Sequence, residues 1–294
     1  MRKLIFIFTI LISTVMIGQI SGNQIQGNNY SNRDLIRIQN QTTPILRLTD
    51  STFIIKAKVL KNIIADEYVA VFGVADTAKT VELGNKRIDD RIDNFIKELK
   101  SSGVNRKDIY IDLITQTQIY DYELRGNLAL QYLDGFEIKK NVIIKFSKIQ
   151  SLNEIVRKAA KYRIYDIVKV DYNINDIQGI YSDLFKECTK LINRKKELYV
   201  SATMVDLYES SQIYGESFYH LTPKDLYKSY TSNVSSIVYN SNRYTQKKDL
   251  RKTATYYFDK LDYSGFDHII NPVVTEPVLQ FILELQFKYE INND

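Results

Sequence analysis

Between Asp66 and Asn175 the apolar side chains follow, in turn, the periods of strand, helix, strand, strand, helix and strand. Few folds accept that order. The first strand is Glu67-Tyr-Val-Ala-Val-Phe-Gly-Val-Ala75, and it passes into an amphipathic helix expected over Asp76 to Lys100, with Asp76 or Thr77 as its cap. Val81, Ile88, Ile92, Phe95, Ile96 and Leu99 share one face of that helix. Burying these side chains is worth on the order of 10 kcal/mol gross, at ~1.5–3 kcal/mol each. Ser101-Ser-Gly103 offers a left-handed exit. Asp108 to Ile119 then alternates as a strand, and Tyr120 to Asp134 reads as a polar excursion around Gly126. Gly135 to Phe146 alternates again, as expected of an antiparallel sheet with one covered face.

Ser151-Leu-Asn-Glu154 has the spacing of a capping box and opens a short helix through Ala160. Asp166 to Asn175 follows as a strand, inward through Val168, Val170, Tyr172 and Ile174. The βαββαβ order is that of the ferredoxin-like split unit, an α+β fold with helices on one face of an antiparallel sheet. A further long helix is predicted from Ile177 to Tyr199, its apolar stripe running through Ile177, Tyr181, Leu184, Phe185, Cys188, Leu191, Ile192 and Leu198. Phe53 to Leu60 is predicted to form an antiparallel hairpin with Glu67 to Ala75. The alternating run Leu279 to Ile291 closes the chain as an integral strand. This hairpin, the third helix and the last strand make a second lobe.

The first residues address the chain. Met1-Arg-Lys3 is positive, and Leu4 to Ile17 is apolar but shorter than the roughly 20 residues of a membrane span. Gly18, Ser21 and Gly22 then supply small residues. The pattern is that of a secretory signal over residues 1–22, with an uncleaved anchor as the alternative. Attachment of a lipid at that site needs a cysteine, and none is nearby. Residues 23–50, polar and rich in Asn and Gln, read as a leader, and 51–294 as the folded part. The expected location is periplasmic or secreted, with no membrane span in the mature chain. The net charge of +5 includes Arg2 and Lys3, so the mature chain is only mildly basic, which does not argue for nucleic acid. The single cysteine, Cys188, excludes an intrachain disulfide and leaves stability to the core.

Few residues fall in a pattern that carries recognisable chemistry. The sequence has no Gly-rich phosphate loop, nucleophile elbow or Cys-x-x-Cys, and so offers no catalytic, cofactor or metal motif. His220 and His268, the latter beside Asp267, are too few to define a metal or acid–base site and read as loop or surface residues. Asp89, Asp90 and Asp93 alternate with Arg87 and Arg91 and read as solvated ion pairs at helical spacing. Cys188, inside an apolar stripe, reads as a packing residue, with a redox role as the outlying reading. A Tyr-rich insertion at about 206–270 holds ten of the 22 tyrosines and the basic cluster Arg243, Lys247, Lys248, Arg251 and Lys252. Tyr214, Tyr219, Tyr256 and Tyr257 are the candidate contacts for envelope glycans. The plainer reading is that such rings line a lobe or a subunit interface.

Several of these segments resemble the SIMPL-domain family. Tyr68-Val-Ala-Val-Phe-Gly-Val-Ala75 entering a long helix is similar to the opening of its members. So are Ile96-Lys-Glu-Leu-Lys-Ser-Ser-Gly-Val104 with Lys107-Asp-Ile-Tyr110, then Gln118-Ile-Tyr-Asp-Tyr122 and the Gly135-Phe136 strand entry. The likeness runs in order from Phe53 to Ile291. It implies a secreted or periplasmic protein of a family linked to oxidative-stress defence and immunogenic antigens, some of whose members form large rings. It carries no catalytic motif. The expectation is an exported, non-enzymatic protein of the cell envelope that self-assembles into a homo-oligomer. A glycan- or cell-wall-binding module is the alternative.

Overall fold

The computed structural model describes residues 46–48, 51–101, 103–230, 233–241, 244–251 and 254–292, with 46–48, 233–241 and 244–251 described by their backbone alone. The expected signal segment, most of the leader, Arg243 and Lys252 lie outside the described residues. In order, the chain forms β1 (Leu46–Leu48), β2 (Thr52–Ile63), β3 (Glu67–Ala78), α1 (Val81–Lys100), β4 (Ile109–Arg125) and β5 (Leu128–Phe146). Next come α2 (Ser151–Lys161), β6 (Asp166–Asn173), α3 (Ile177–Thr203), β7 (Leu207–Leu221) and the single turn α4 (Pro223–Leu226). The chain continues through β8 (Tyr227–Tyr230), β9 (Asn233–Ser241), β10 (Tyr244–Arg251), β11 (Thr255–Phe258), β12 (His268–Ile270) and β13 (Leu279–Ile291).

The first sheet has the order β4-β5-β3-β6 with every neighbour antiparallel, which is the ferredoxin-like arrangement. Tyr68, Ala70, Phe72 and Val74 of β3 and Ile138, Val142 and Ile144 of β5 are buried in one core with Ile88, Ile92, Phe95 and Leu99 of α1. β3 runs three residues further than expected, so Thr80 caps α1 in place of Asp76 or Thr77, its Oγ1 accepting from Leu83 N–H at 3.2 Å. Gly103, at φ +86°, makes the predicted left-handed exit. The expected capping box is not formed. α2 begins at Ser151 with Gln150 in the cap position, and the Glu154 carboxylate pairs with Lys158 one turn on, at 3.1 Å. In β6 a register shift opposite Val71 and Phe72 turns Val168 out to solvent, while Val170 and Tyr172 stay buried.

The second sheet has the order β1-β2-β13-β7, and β12 pairs in parallel with β2. The antiparallel hairpin expected between residues 53–60 and 67–75 is therefore not made: these consecutive strands enter different sheets. β2 pairs along its whole length with β13, Leu279 opposite Ile63 and Glu290 opposite Thr52. The long alternating β13 satisfies both ladder edges of the sheet centre, whereas the connection Ile64-Ala-Asp66 carries the chain across to the other sheet. Of the elements expected in the second lobe, the strand over 53–60, the third helix and the last strand come together, but Glu67 to Ala75 does not join them, because β3 belongs to the first sheet. α3 lies over β2 and β13 through Ile180, Leu184, Cys188 and Ile192, which recur every fourth residue, while Ile177 and Leu198 are exposed. On the opposite face Leu60, Leu221, Leu226, Leu261 and Ile282 form a smaller cluster under the segment that follows β11. Both faces of β13 are thus covered at its start.

The remaining pairing is two-stranded. β4 and β5 stay paired to Arg125 and Leu128, around Gly126 at φ +63°. The stretch from Tyr120 to Asp134 is therefore a two-stranded arm and not a loose excursion. β8 pairs with β11, Tyr227 opposite Phe258, and β9 pairs with β10, Ser241 opposite Tyr244, with a bulge near Arg251, as two further two-stranded sheets.

Candidate functional site

Where β2 ends, the chain crosses between the sheets and α3 begins, leaving a cleft of about 870 Å³. Its wall carries Asp66, Asp176, Asp183 and Glu276 against Lys61. Most of this acidity is structural. Asp66 Oδ2 accepts from Asn175 N–H at 2.8 Å, and Asp176 caps α3 by accepting from Gly179 N–H at 2.7 Å. Asp183 pairs with Lys61 at 2.8 Å. Among the described residues no group of three or more His, Cys, Asp or Glu side chains is arranged to hold a metal ion.

The groups best suited to reaction chemistry are held in packing or in ion pairs. Cys188 is fully buried, as its place in the stripe predicts, and its thiol faces Leu283 O at 3.6 Å. Burial, with Asp267 nearby, pushes that thiol up to about 12, so it is not a thiolate near neutral pH. His220 stacks on the Phe281 ring, and His268 Nδ1 pairs with Glu187 Oε1 at 2.9 Å. Asp267 accepts from Lys58 N–H at 2.8 Å and from Lys195 Nζ at 2.5 Å, tying the segment before β12 to β2 and α3. On the face of the second sheet away from α3, Glu284 sits 3.4 Å from Lys56 and 4.0 Å from Lys58. Burial lowers the Lys58 ammonium below its ordinary value.

The tyrosines singled out from the sequence are dispersed. Tyr219 packs against the small cluster of Leu60 and Ile282, and burial, with Glu284 nearby, raises its hydroxyl to about 12. Tyr214 is exposed on β7. Tyr256 and Tyr257 are consecutive on β11 and so point to opposite faces of its two-stranded sheet. The acidic row of α1 is also not the expected chain of pairs along the helix. Asp89 reaches across to Lys140 of β5 at 2.6 Å. Arg91 donates to the carbonyl oxygens of Ala75, at 2.9 Å, of Tyr162, at 3.0 Å, and of Arg163.

The arm formed by β4 and β5 is the surface that sequence reading passed over. Every residue from Tyr120 to Leu133 is exposed, among them Tyr120, Tyr122, Leu124, Leu128, Leu130, Tyr132 and Leu133. Seven large apolar side chains on one short ribbon are far more than scattered surface residues. The signal was present: Tyr120, Tyr122 and Leu124 alternate into Gly126-Asn127, a two-residue hairpin connection. Bulges at Ile114 and Asp134 break that alternation out of phase with the strand before it. At the base of the arm Lys79 Nζ grips Asp134, with Oδ1 at 2.5 Å and the backbone oxygen at 2.7 Å.

Residues 56–254, more than half of the chain, match the family model described as SIMPL, protein of unknown function (DUF541). No curated protein matches the chain.

Proposed function

From the premise that this chain belongs to the SIMPL family, whose function is unknown, we propose that it is an exported, non-enzymatic protein of the cell envelope that works by self-association. The arm from Tyr120 to Leu133 carries this reading. A soluble protein that holds so much apolar surface away from its core gains by covering it in an assembly. Export is supported by the charged, apolar and small-residue order of the first 22 residues. Among the described residues no helix is long and apolar enough to cross a membrane. The test is the mass of the secreted form by light scattering at micromolar concentration, with its N-terminus read by mass spectrometry. An oligomer beginning between Gly18 and Asn23 is expected. A strict monomer, or a chain retained in the cytoplasm, would overturn the reading.

A further inference from the structure

Directly opposed residues of an antiparallel pair share a face, which sorts the arm into two unlike surfaces. Tyr120 opposes Leu133, Tyr122 opposes Gln131, and Leu124 opposes Ala129. That face holds no charge. Asp121 opposes Tyr132, Glu123 opposes Leu130, and Arg125 opposes Leu128, so all the charges lie on the other face. Side-chain bonds agree with the sorting: Tyr120 donates to Gln118 at 2.8 Å, whereas Glu123 accepts from Arg125 at 3.1 Å.

The uncharged face continues the covered face of the first sheet. Gln116 opposes the buried Ile138, and the Asn85 amide of α1 lies 3.4 Å from Gln116, so this side is the one under the helix. Gln118 and Tyr120 follow on the same side. α1 begins only at Val81, level with the base of the arm, and the face beyond it is exposed, Tyr122 by 61% and Leu124 by 78%. A core-type surface thus runs on past the helix that would cover it.

We infer that this face packs against the same face of a second copy, related by a two-fold axis, an inference that rests on the self-associating function proposed above. Like meets like here without cost in charge, because all three ionised residues of the arm tip are on the far side. At ~150–250 Å² for a large side chain, the exposed face amounts to roughly 500 Å² per copy. Two such faces bury roughly 1,000 Å², the lower limit for a specific interface. A two-stranded ribbon alone is marginal in water, so the contact also holds the arm in shape.

Paired substitutions on the mature protein test the face. Leu124→Asp places a charge on the uncharged side and should reduce the mass at least twofold. Leu128→Asp places the same charge on the opposite side and should leave the mass unchanged. Both positions are exposed, and unchanged circular dichroism confirms folding. Tyr122→Cys should give a disulfide-linked dimer on oxidation with diamide, while Glu123→Cys, one residue on, should not. If Leu124→Asp keeps the wild-type mass, or Leu128→Asp dissociates it equally, this face is overturned while self-association stands. Cross-linking through Glu123→Cys and not Tyr122→Cys has the same consequence. A wild-type chain that is itself a monomer overturns both.

Discussion

Gln280 is fully buried in the central strand of the second sheet, and it holds two layers together. Its Nε2 donates to Asn62 Oδ1 at 2.7 Å, and its Oε1 accepts from Leu261 N–H at 2.9 Å. Asn62 Nδ2 donates in turn to Tyr263 Oη and to Asn271 O, each at 2.8 Å. Asn62→Leu would leave the Gln280 amide without its acceptor and should cost about 1–3 kcal/mol in urea unfolding. Replacing both amides by leucine should recover part of that loss. The network was not legible in the sequence, because a glutamine in an alternating strand looks like a wet-face residue. Only the second cluster, folded over from residues distant in sequence, makes that face dry. Cys188 was legible, since its stripe alone implies burial. Its thiol should resist labelling at pH 7 and react once denatured. With the pKa raised to about 12 in the fold from an ordinary 9.0, the protonated thiol's contribution is present below pH 9 and is lost as pH rises through 12. Comparing urea midpoints of wild type and Cys188→Ala from pH 8 upward should show the wild type losing the greater stability.

At the scale of elements, α1 was readable from its apolar spacing, yet what fixes its position was not. Arg91 ties it to the ends of β3 and α2 by backbone carbonyl groups that no sequence pattern marks. Arg163 adopts φ +57° at that same turn, where its oxygen meets the guanidinium. Arg91→Met keeps the stem but loses these bonds, and should lower stability by about 1.5–3 kcal/mol, read from the urea midpoint. The base of the arm is equally tight. A Cβ added at Gly135 would stand 2.6 Å from Ala78 O, a backbone atom with little room to move. Gly135→Ala should therefore cost about 1–3 kcal/mol by overpacking. The same substitution at Gly126, where a Cβ meets nothing within 4 Å, would be penalised only by its φ of +63°. The strands around Gly135 declared themselves by alternation. The arm did not, because each bulge resets the phase by one residue and the run then looks irregular.

For the whole molecule, the decisive pairing is β2 with β13, which joins the start of the described fold to its end. Local periodicity identified both strands but could not say that they meet, and the hairpin between consecutive strands was the cheaper local alternative. The long-range pair prevails because β13 can be buried on both sides, by α3 and by the small cluster, whereas β3 is needed at the centre of the other sheet. The consequence is that the two sheets are not independent units. One core contains Phe53, Val59 and Leu285 of the second sheet together with Tyr68, Phe72 and Val170 of the first. The chain between them closes a loop of more than two hundred residues, so folding should be slow for a domain of this length. Loss of β13 should then disorganise both sheets. In urea, tyrosine near-ultraviolet dichroism and backbone far-ultraviolet dichroism of the mature chain should follow one coincident transition. Deletion of residues 279–294 should abolish that transition altogether. If the truncated chain instead keeps a cooperative transition with the helical signal of α1 and α2, the first sheet folds alone and the shared core is not what couples the lobes.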